Sequence, residues 1–152
     1  MDLDGDTFCL YSAYQGQTQT IENQIIICSS VGASLILPTS ETSLQTILNV
    51  LEQEQGFVSA KLIGIGITDE AVEQTWTDLN GNPLTYTNWD FGGSTPQADT
   101  TRNNGIMVVG SLASYNGKWQ HASSTDQVAL ACSMKLTTGE NIFTIGLTFN
   151  IL

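Results

Sequence analysis

The chain has 152 residues, a length typical of one domain. No uninterrupted apolar run reaches the roughly 18 residues of a membrane span, and the first residues, MDLDGDTF, lack the pattern of a signal peptide. Four Lys and Arg residues against fifteen Asp and Glu residues give a formal charge of -11. We therefore expect neither nucleic acid nor an anionic membrane as a partner.

Charged residues nevertheless make up only 12% of the chain, so the surface is expected to be polar and mostly uncharged. This composition favours a secreted or extracellular module over a cytosolic enzyme. The three cysteines, Cys9, Cys28 and Cys132, allow at most one intrachain bridge and leave one thiol over. A bridge would require an oxidising compartment, and no pair has the C-x-x-C spacing of a metal site.

Two helices are predicted early in the chain, separated by a short strand in ASLILPT. The first has Thr20 as its N-cap, carries apolar residues at helical spacing and ends at Gly32. The second opens at Ser40 with Ser43, has one apolar face and ends at Gly56. We expect about 12 residues in each helix.

From Phe57 onward the apolar period becomes that of strands. The run SAKLIGIGITDE comes first, two strand-like runs flank a turn at residues 80–83, and Asn116-Gly117 marks a second hairpin turn. Between these hairpins, residues 90–105 have almost no apolar content and no period. A loop of this length inside a compact domain is usually functional.

The two ends differ from the rest of the chain. Residues 1–7 carry aspartates whose order departs from an EF-hand loop, and they are expected to form a solvated acidic segment. Residues 136–152 predict a strand that pairs with the domain, with another copy or with a partner. The apolar face of that strand would carry Ile145, Leu147, Phe149 and Ile151.

Taken in order, residues 8–135 resemble the C-type lectin-like domain. The segment IIICSSVGASLILPTSETS is similar to the family's cysteine-containing helix and second helix, and LIGIG is similar to its W-I-G-L strand, with Leu62 replacing tryptophan. The most specific stretch is WTDLNGNPLTYTNWDFGGSTP, after which GKWQH and ALACSM follow in the family's order. The resemblance implies an α+β fold with two helices packed on a small, mostly antiparallel sheet that carries one long irregular loop.

The resemblance also implies a disulfide between Cys28 and Cys132. The family's second bridge would join the positions of Gly105 and Ser124, and both cysteines are absent here. Cys9 lies where longer members have a cysteine that pairs further upstream, and no such partner precedes it. Cys9 is therefore expected to be free, intermolecular or without its natural partner.

In the family, the long loop, with a cis-proline motif, and the W-N-D strand build a calcium and sugar site. The corresponding positions here carry no carboxylate, whereas calcium is held mainly by anionic oxygens. We therefore expect the calcium-dependent mechanism to be lost and no cofactor to be required. The positions are Thr95, Gln97, Asn103, Gln120 and His121.

Neutral side chains around one loop can still hydrogen-bond a ligand without metal. The five residues just listed, together with Asn104, are the predicted ligand-binding set for a glycan or an extracellular protein. The alternative is a calcium-dependent lectin that uses Asp90 and Asp99, the acids of the loop, as displaced metal ligands. A third hypothesis is an assembly module, in which residues 142–152 and Cys9 join copies or attach the domain to a larger protein.

Enzymatic chemistry is not supported by the residues. His121 is the one histidine, and no nucleophile-elbow motif frames a serine beside it. Trp76, Trp89 and Trp119 are expected to be core residues, and Phe91 is expected to be exposed at the loop entrance. The prediction is an extracellular binding domain and not an enzyme.

Overall fold

The computed structural model describes residues 2–3, 6–13, 18–54, 61–90, 92, 94–110 and 113–135. Its helices are α1 (Ile21–Ser30) and α2 (Glu41–Asn49), and α2 continues into a π-helical turn at Val50–Glu54. The strands of this part of the chain are β1 (Asp2–Leu3), β2 (Asp6–Ala13), β3 (Gln19–Thr20), β4 (Ser34–Leu35), β5 (Lys61–Thr68), β6 (Thr77–Asp78), β7 (Asn104–Val109), β8 (Trp119–Ala122), β9 (Gln127–Val128) and β10 (Leu130–Lys135).

The strands form three small sheets with antiparallel neighbours. One has the order β1-β2-β10-β4, one pairs β3 with β9, and one has the order β6-β5-β7-β8. The last sheet carries the long loop, because the chain leaves it after β6 and returns at β7. An isolated parallel bridge between Ile63 and Ala129 links β5 to the segment before β10. No helix within the described residues is long and apolar enough to cross a membrane.

The predicted caps define both helices. The Thr20 side chain accepts a hydrogen bond from the Asn23 backbone N–H, which satisfies a donor in the first turn of α1. Gly32 follows this helix with φ +72°, a left-handed conformation that glycine adopts without a Cβ clash. At α2, Ser40 and Ser43 exchange hydrogen bonds in a reciprocal capping box.

The helices and the sheets enclose a core with two apolar clusters. The larger one lies between α2 and the inner face of β5 and β7, and the smaller one lies beneath α1. Two glycines of β5 allow close packing against it: a Cβ on Gly64 would lie 2.8 Å from the Gln24 side-chain oxygen of α1, and a Cβ on Gly66 would lie 3.0 Å from the Leu35 backbone carbonyl of β4. The glycines of LIGIG thus bring the helical layer close to the sheet.

Three tryptophans lie in the larger cluster, as predicted. Trp76, Trp89 and Trp119 are 8%, 1% and 0% exposed. Trp89 contacts the other two edge-on, with ring centroids 4.8 Å and 5.8 Å apart, an arrangement that suits the quadrupoles of the rings. These three tryptophans lie at the base of the long loop, which begins directly after Trp89.

A disulfide joins Cys28 and Cys132, with a Cα–Cα distance of 5.6 Å, and confirms the predicted pairing. It clamps α1 to β10. Gly105 stands at one of the two positions of the absent second bridge. A Cβ at this position would collide with the Ile67 side chain. Ile67 lies in an irregular part of β5, where the pairing register with β7 shifts between Ile65 and Thr68.

Several boundaries differ from the predictions. The strand β2 was not predicted: residues 2–3 and 6–7 pair with each other in a short antiparallel hairpin, and from Phe8 to Ala13 β2 pairs with β10. The prediction of a second strand after the turn at 80–83 is wrong: this segment makes two isolated bridges, Thr77–Pro83 and Trp89–Trp119, and otherwise lies outside the strands. The α-helices have 10 and 9 residues. Gly56, Phe91 and the predicted strand within 136–152 lie outside the described residues.

Candidate functional site

The long loop and β8 form an open cleft of about 510 Å³. Three of the predicted ligand-binding residues, Thr95, Gln97 and His121, line this cleft. Asp99 also lines it, so the cleft contains one carboxylate among neutral polar groups. The remaining lining residues are Ser94 and Ala98.

The loop is held in place by its own hydrogen bonds and by a neighbouring acidic segment. The Glu73 carboxylate accepts the Asp99 backbone N–H at 2.8 Å, and the Asp99 carboxylate accepts the N–H and the hydroxyl of Thr101. Arg102 lies 3.6 Å from the Asp99 carboxylate. The peptide bond before Pro96 is trans, in contrast to the cis-proline motif of the family. The cleft wall is therefore held by the contacts of Asp99 with Glu73, Thr101 and Arg102.

The other predicted residues support the cleft and do not line it. Gln120 donates to the Asp90 carboxylate at 2.9 Å, so these two side chains bond each other. Asn104 lies in β7 opposite Ala122, and the Asn103 backbone carbonyl accepts the Thr68 hydroxyl at 2.7 Å. The structure thus brings Asp99 to the cleft and places Asp90 outside its lining.

Two carboxylates beside the cleft were missed in the sequence. Asp69 is only 3% exposed, and its Oδ2 accepts the Gln74 backbone N–H at 2.9 Å. Gln74 adopts φ +63°, which is uncommon for a residue with a Cβ. Glu73 holds the loop through Asp99. The signal that was overlooked is the D-E-A-V-E segment directly after β5, where an acid begins a loop at the end of a buried strand.

Two buried oxygens in this region have no hydrogen-bond partner in the structure. They are Oδ1 of Asp69 and Oδ1 of Asn103, and the Asp69 backbone N–H donates to the Asn103 carbonyl at 3.3 Å. Unpaired buried acceptors are costly, and such groups commonly bind water or an ion. These two oxygens are therefore the acceptors of this region that remain for a water or a ligand atom.

The pKa values of Asp69 and Asp99 are shifted in opposite directions. Burial raises the pKa of Asp69 above its ordinary value, and the nearby Glu73 charge acts in the same direction, while the Gln74 N–H opposes both. Hydrogen bonds from Thr101 hold the pKa of Asp99 below its ordinary value. The buried carboxylate therefore binds its proton more tightly in the folded state, and the exposed one binds it less tightly.

The predicted family positions do not fit calcium, because Thr95, Gln97, Asn103, Gln120 and His121 include no carboxylate. The described residues contain no group of three or more His, Cys, Asp or Glu side chains arranged to hold a metal ion. Asp69 and Asn103 offer two unpaired oxygens, fewer than the six to eight that calcium takes. Waters or a ligand would have to complete the coordination.

We predict opposite pH dependence for two matched variants. A raised folded-state pKa means that Asp69 loses stabilising free energy as pH rises through the window above its ordinary pKa. Asp69→Asn should therefore be more stable than the wild type at pH 7, and the difference should shrink towards pH 4. Urea unfolding in EDTA at pH 4, 5.5 and 7 measures this.

Asp99→Asn is the control with the reverse sign. The lowered pKa of Asp99 means that its charge stabilises the fold above the ordinary pKa and that this contribution is lost as pH falls through the folded-state value. The variant should be less stable than the wild type at pH 7 and equal to it in acid. If Asp69→Asn instead loses stability at pH 7 in EDTA, contacts in the folded state stabilise the charged Asp69 carboxylate by more than burial destabilises it, which contradicts the prediction.

Comparison with known proteins agrees with this geometry. A family model described as "Lectin C-type domain" matches residues 17–134. Tetranectin from Homo sapiens is 30% identical over 116 residues, covering 76% of this chain and 55% of tetranectin. The chain thus spans about half the length of this relative.

Solved structures show the same fold. The mouse scavenger receptor C-type lectin carbohydrate-recognition domain superposes with a TM-score of 0.69 at 20% identity, covering 88% of this chain and 92% of that domain. A calcium-independent type II antifreeze protein gives 0.66 at 18% identity, covering 90% and 96%. These likenesses confirm the predicted α+β arrangement of two helices with antiparallel sheets.

Proposed function

We propose that this chain, which belongs to the C-type lectin domain family, is an extracellular recognition domain that binds a glycan or a protein through its long-loop cleft without calcium. The cleft carries the proposal. It presents Thr95, Gln97 and His121 beside a single carboxylate, in a wall already fixed by the Glu73 contact. Such donors and acceptors bind hydroxyl or backbone amide groups directly.

Three further observations support the extracellular setting and the mode of binding. The Cys28–Cys132 disulfide forms and persists in an oxidising compartment. Members of the family are generally non-enzymatic binding domains. A solved structure with this fold belongs to a protein described as calcium-independent, so the fold itself does not require the ion.

The direct test is a glycan array and a screen of extracellular proteins, both in EDTA. For a ligand found in this way, Thr95→Ala, Gln97→Ala and His121→Ala should each reduce affinity by about tenfold, the effect of losing roughly one hydrogen bond. Gln45→Ala is the control, since Gln45 is exposed on α2 and bonds only its neighbour Glu41. Unchanged affinity in all three cleft variants would contradict the proposal.

A second candidate function is calcium-dependent binding, which the unpaired oxygens of Asp69 and Asn103 favour. Calcium bound only by the folded state would raise the melting temperature in proportion to saturation. We expect equal melting temperatures in EDTA and in several millimolar calcium. A rise that EDTA reverses and Asp69→Asn abolishes would instead establish the second candidate. A rise abolished by Asp90→Asn would indicate the displaced loop site.

A further inference from the structure

The carboxylate in the cleft has one oxygen that is open to a ligand. Oδ1 of Asp99 accepts the Thr101 backbone N–H at 3.0 Å and the Thr101 hydroxyl at 2.6 Å, so both lone pairs of this oxygen are used. Oδ2 accepts no hydrogen bond from the part of the chain that the structure describes. Nε of Arg102 lies 3.6 Å from it, beyond hydrogen-bond distance. Oδ2 is therefore left to accept a donor from a ligand.

The ion pair between Asp99 and Arg102 is too exposed to close this oxygen off. The Asp99 side chain is 36% exposed and the Arg102 side chain is 55% exposed. Exposed ion pairs contribute little free energy, because water screens the charges and both side chains lose conformational freedom. A cation that arrives with a partner can therefore replace Arg102 at Oδ2.

The surroundings of the cleft are negatively charged. The DEAVE segment after β5 carries three acids, and the long loop carries two acids and one arginine. The two segments pack together, since Glu73 accepts the Asp99 backbone N–H at 2.8 Å. The Asp69 and Asp99 carboxylates both interact electrostatically with His121, which lines the cleft. Grouped charges of one sign raise the local concentration of ligands of the opposite sign.

We propose that the cleft binds the ammonium group of a lysine side chain on a partner protein, with Oδ2 of Asp99 as its acceptor. This assignment rests on the recognition function proposed above and names the ligand class of the same cleft. A lysine ammonium is a compact charge that one carboxylate oxygen can accept. An arginine binds best through both oxygens of a carboxylate, and here Oδ1 is already used.

The neutral lining suits the polypeptide that carries the lysine. Thr95 and Gln97 supply a hydroxyl and an amide, which donate to and accept from the backbone groups of a partner chain. The cleft volume of about 510 Å³ lies within the usual range of ligand sites. Neutral sugar hydroxyls would leave the Asp99 charge without a counter-charge, and anionic sugars would be repelled. Lysines, by contrast, lie almost always at protein surfaces.

A random peptide library selected on the full chain in EDTA tests the proposal. We expect the enriched peptides to share a lysine. Replacing this lysine with glutamine should weaken binding about tenfold, and replacing it with arginine should not strengthen it. Raising sodium chloride from about 50 mM to about 300 mM should weaken the lysine peptide more than the glutamine peptide, because salt screens the charges.

The contact itself is tested by pairing peptide and domain variants. Asp99→Asn should weaken the lysine peptide about tenfold and leave the glutamine peptide nearly unchanged, so the two changes couple in a double-mutant cycle. Glu22→Gln is the matched control, since it removes the same charge from an exposed position on α1 outside the cleft lining. Its affinity for the lysine peptide should equal that of the wild type.

A gain of affinity separates the contact from misfolding. Arg102→Gln removes the competing cation and should tighten binding of the lysine peptide about threefold. Lys135→Gln removes the same charge from an exposed position in β10 and should give no gain.

A library without binders, or binders whose affinity ignores their lysine or Asp99, would overturn the proposal. Binding to glycans alone in EDTA would also overturn it. In that case a loss of glycan affinity in Thr95→Ala and Gln97→Ala would still support recognition at the cleft. If no cleft variant changes the affinity for any ligand, the proposed recognition function fails as well.

Discussion

Replacing both bridged cysteines, as Cys28→Ala/Cys132→Ala, is expected to cost about 4 to 5 kcal/mol of unfolding free energy. The bridge joins residues 104 apart, and closing a loop of about 100 residues is worth about 4.7 kcal/mol in the chain-entropy description. Both residues are almost fully buried in the cluster beneath α1, so their loss also removes packing. Denaturant unfolding of the oxidised wild type and the variant measures the difference.

Reduction supplies the control. Dithiothreitol should lower the stability of the wild type towards that of the variant, while the variant itself should not respond. The remaining cysteine, Cys9, is present in both proteins, so any effect of its thiol cancels. Equal stability of oxidised wild type and variant would show that the clamp between α1 and β10 does not depend on the covalent bond.

Features with local signals were predictable from the sequence. Thr20 and Ser40 cap the helices because their side chains bond backbone groups three residues onward. The burial of the tryptophans followed from a motif with specific spacing. By contrast, the pairing of β2 with β10 joins segments more than 115 residues apart, and nothing in the aspartate-rich start of the chain indicates it.

The candidate site could likewise be predicted only in part, because some of its residues come together through tertiary packing. Thr95, Gln97 and His121 meet in one cleft because the loop folds back on β8, as the resemblance implied. Asp69 was overlooked because an acid in a polar segment is usually solvated. Its burial depends on the long loop packing beside it, through the Asn103 carbonyl and the Glu73 contact to Asp99. That packing is a tertiary property with no pattern in the segment itself.

Gly105→Ala is expected to destabilise the domain by about 1 to 3 kcal/mol, the usual cost of overpacking a core. The added methyl group would collide with Cγ1 and Cδ1 of Ile67, a fully buried side chain that is stiff at χ1. The Ile67 side chain thus lies where a Cβ at position 105 would be, and this packing requires a glycine there.

A double-mutant cycle separates this contact from a general intolerance of β7. Ile67→Ala removes both Cγ1 and Cδ1 and alone should cost about 2 to 5 kcal/mol, whereas in the Gly105→Ala background it should cost less, because it removes both atoms of the collision. Ile63→Ala makes the same change in the same strand, away from Gly105, and its effect should add to that of Gly105→Ala. Additivity in both cycles would mean that the glycine is required by the strand backbone and not by Ile67. Coupling in the first cycle alone would show that the Ile67 side chain, and not the backbone of β7, requires a glycine at position 105.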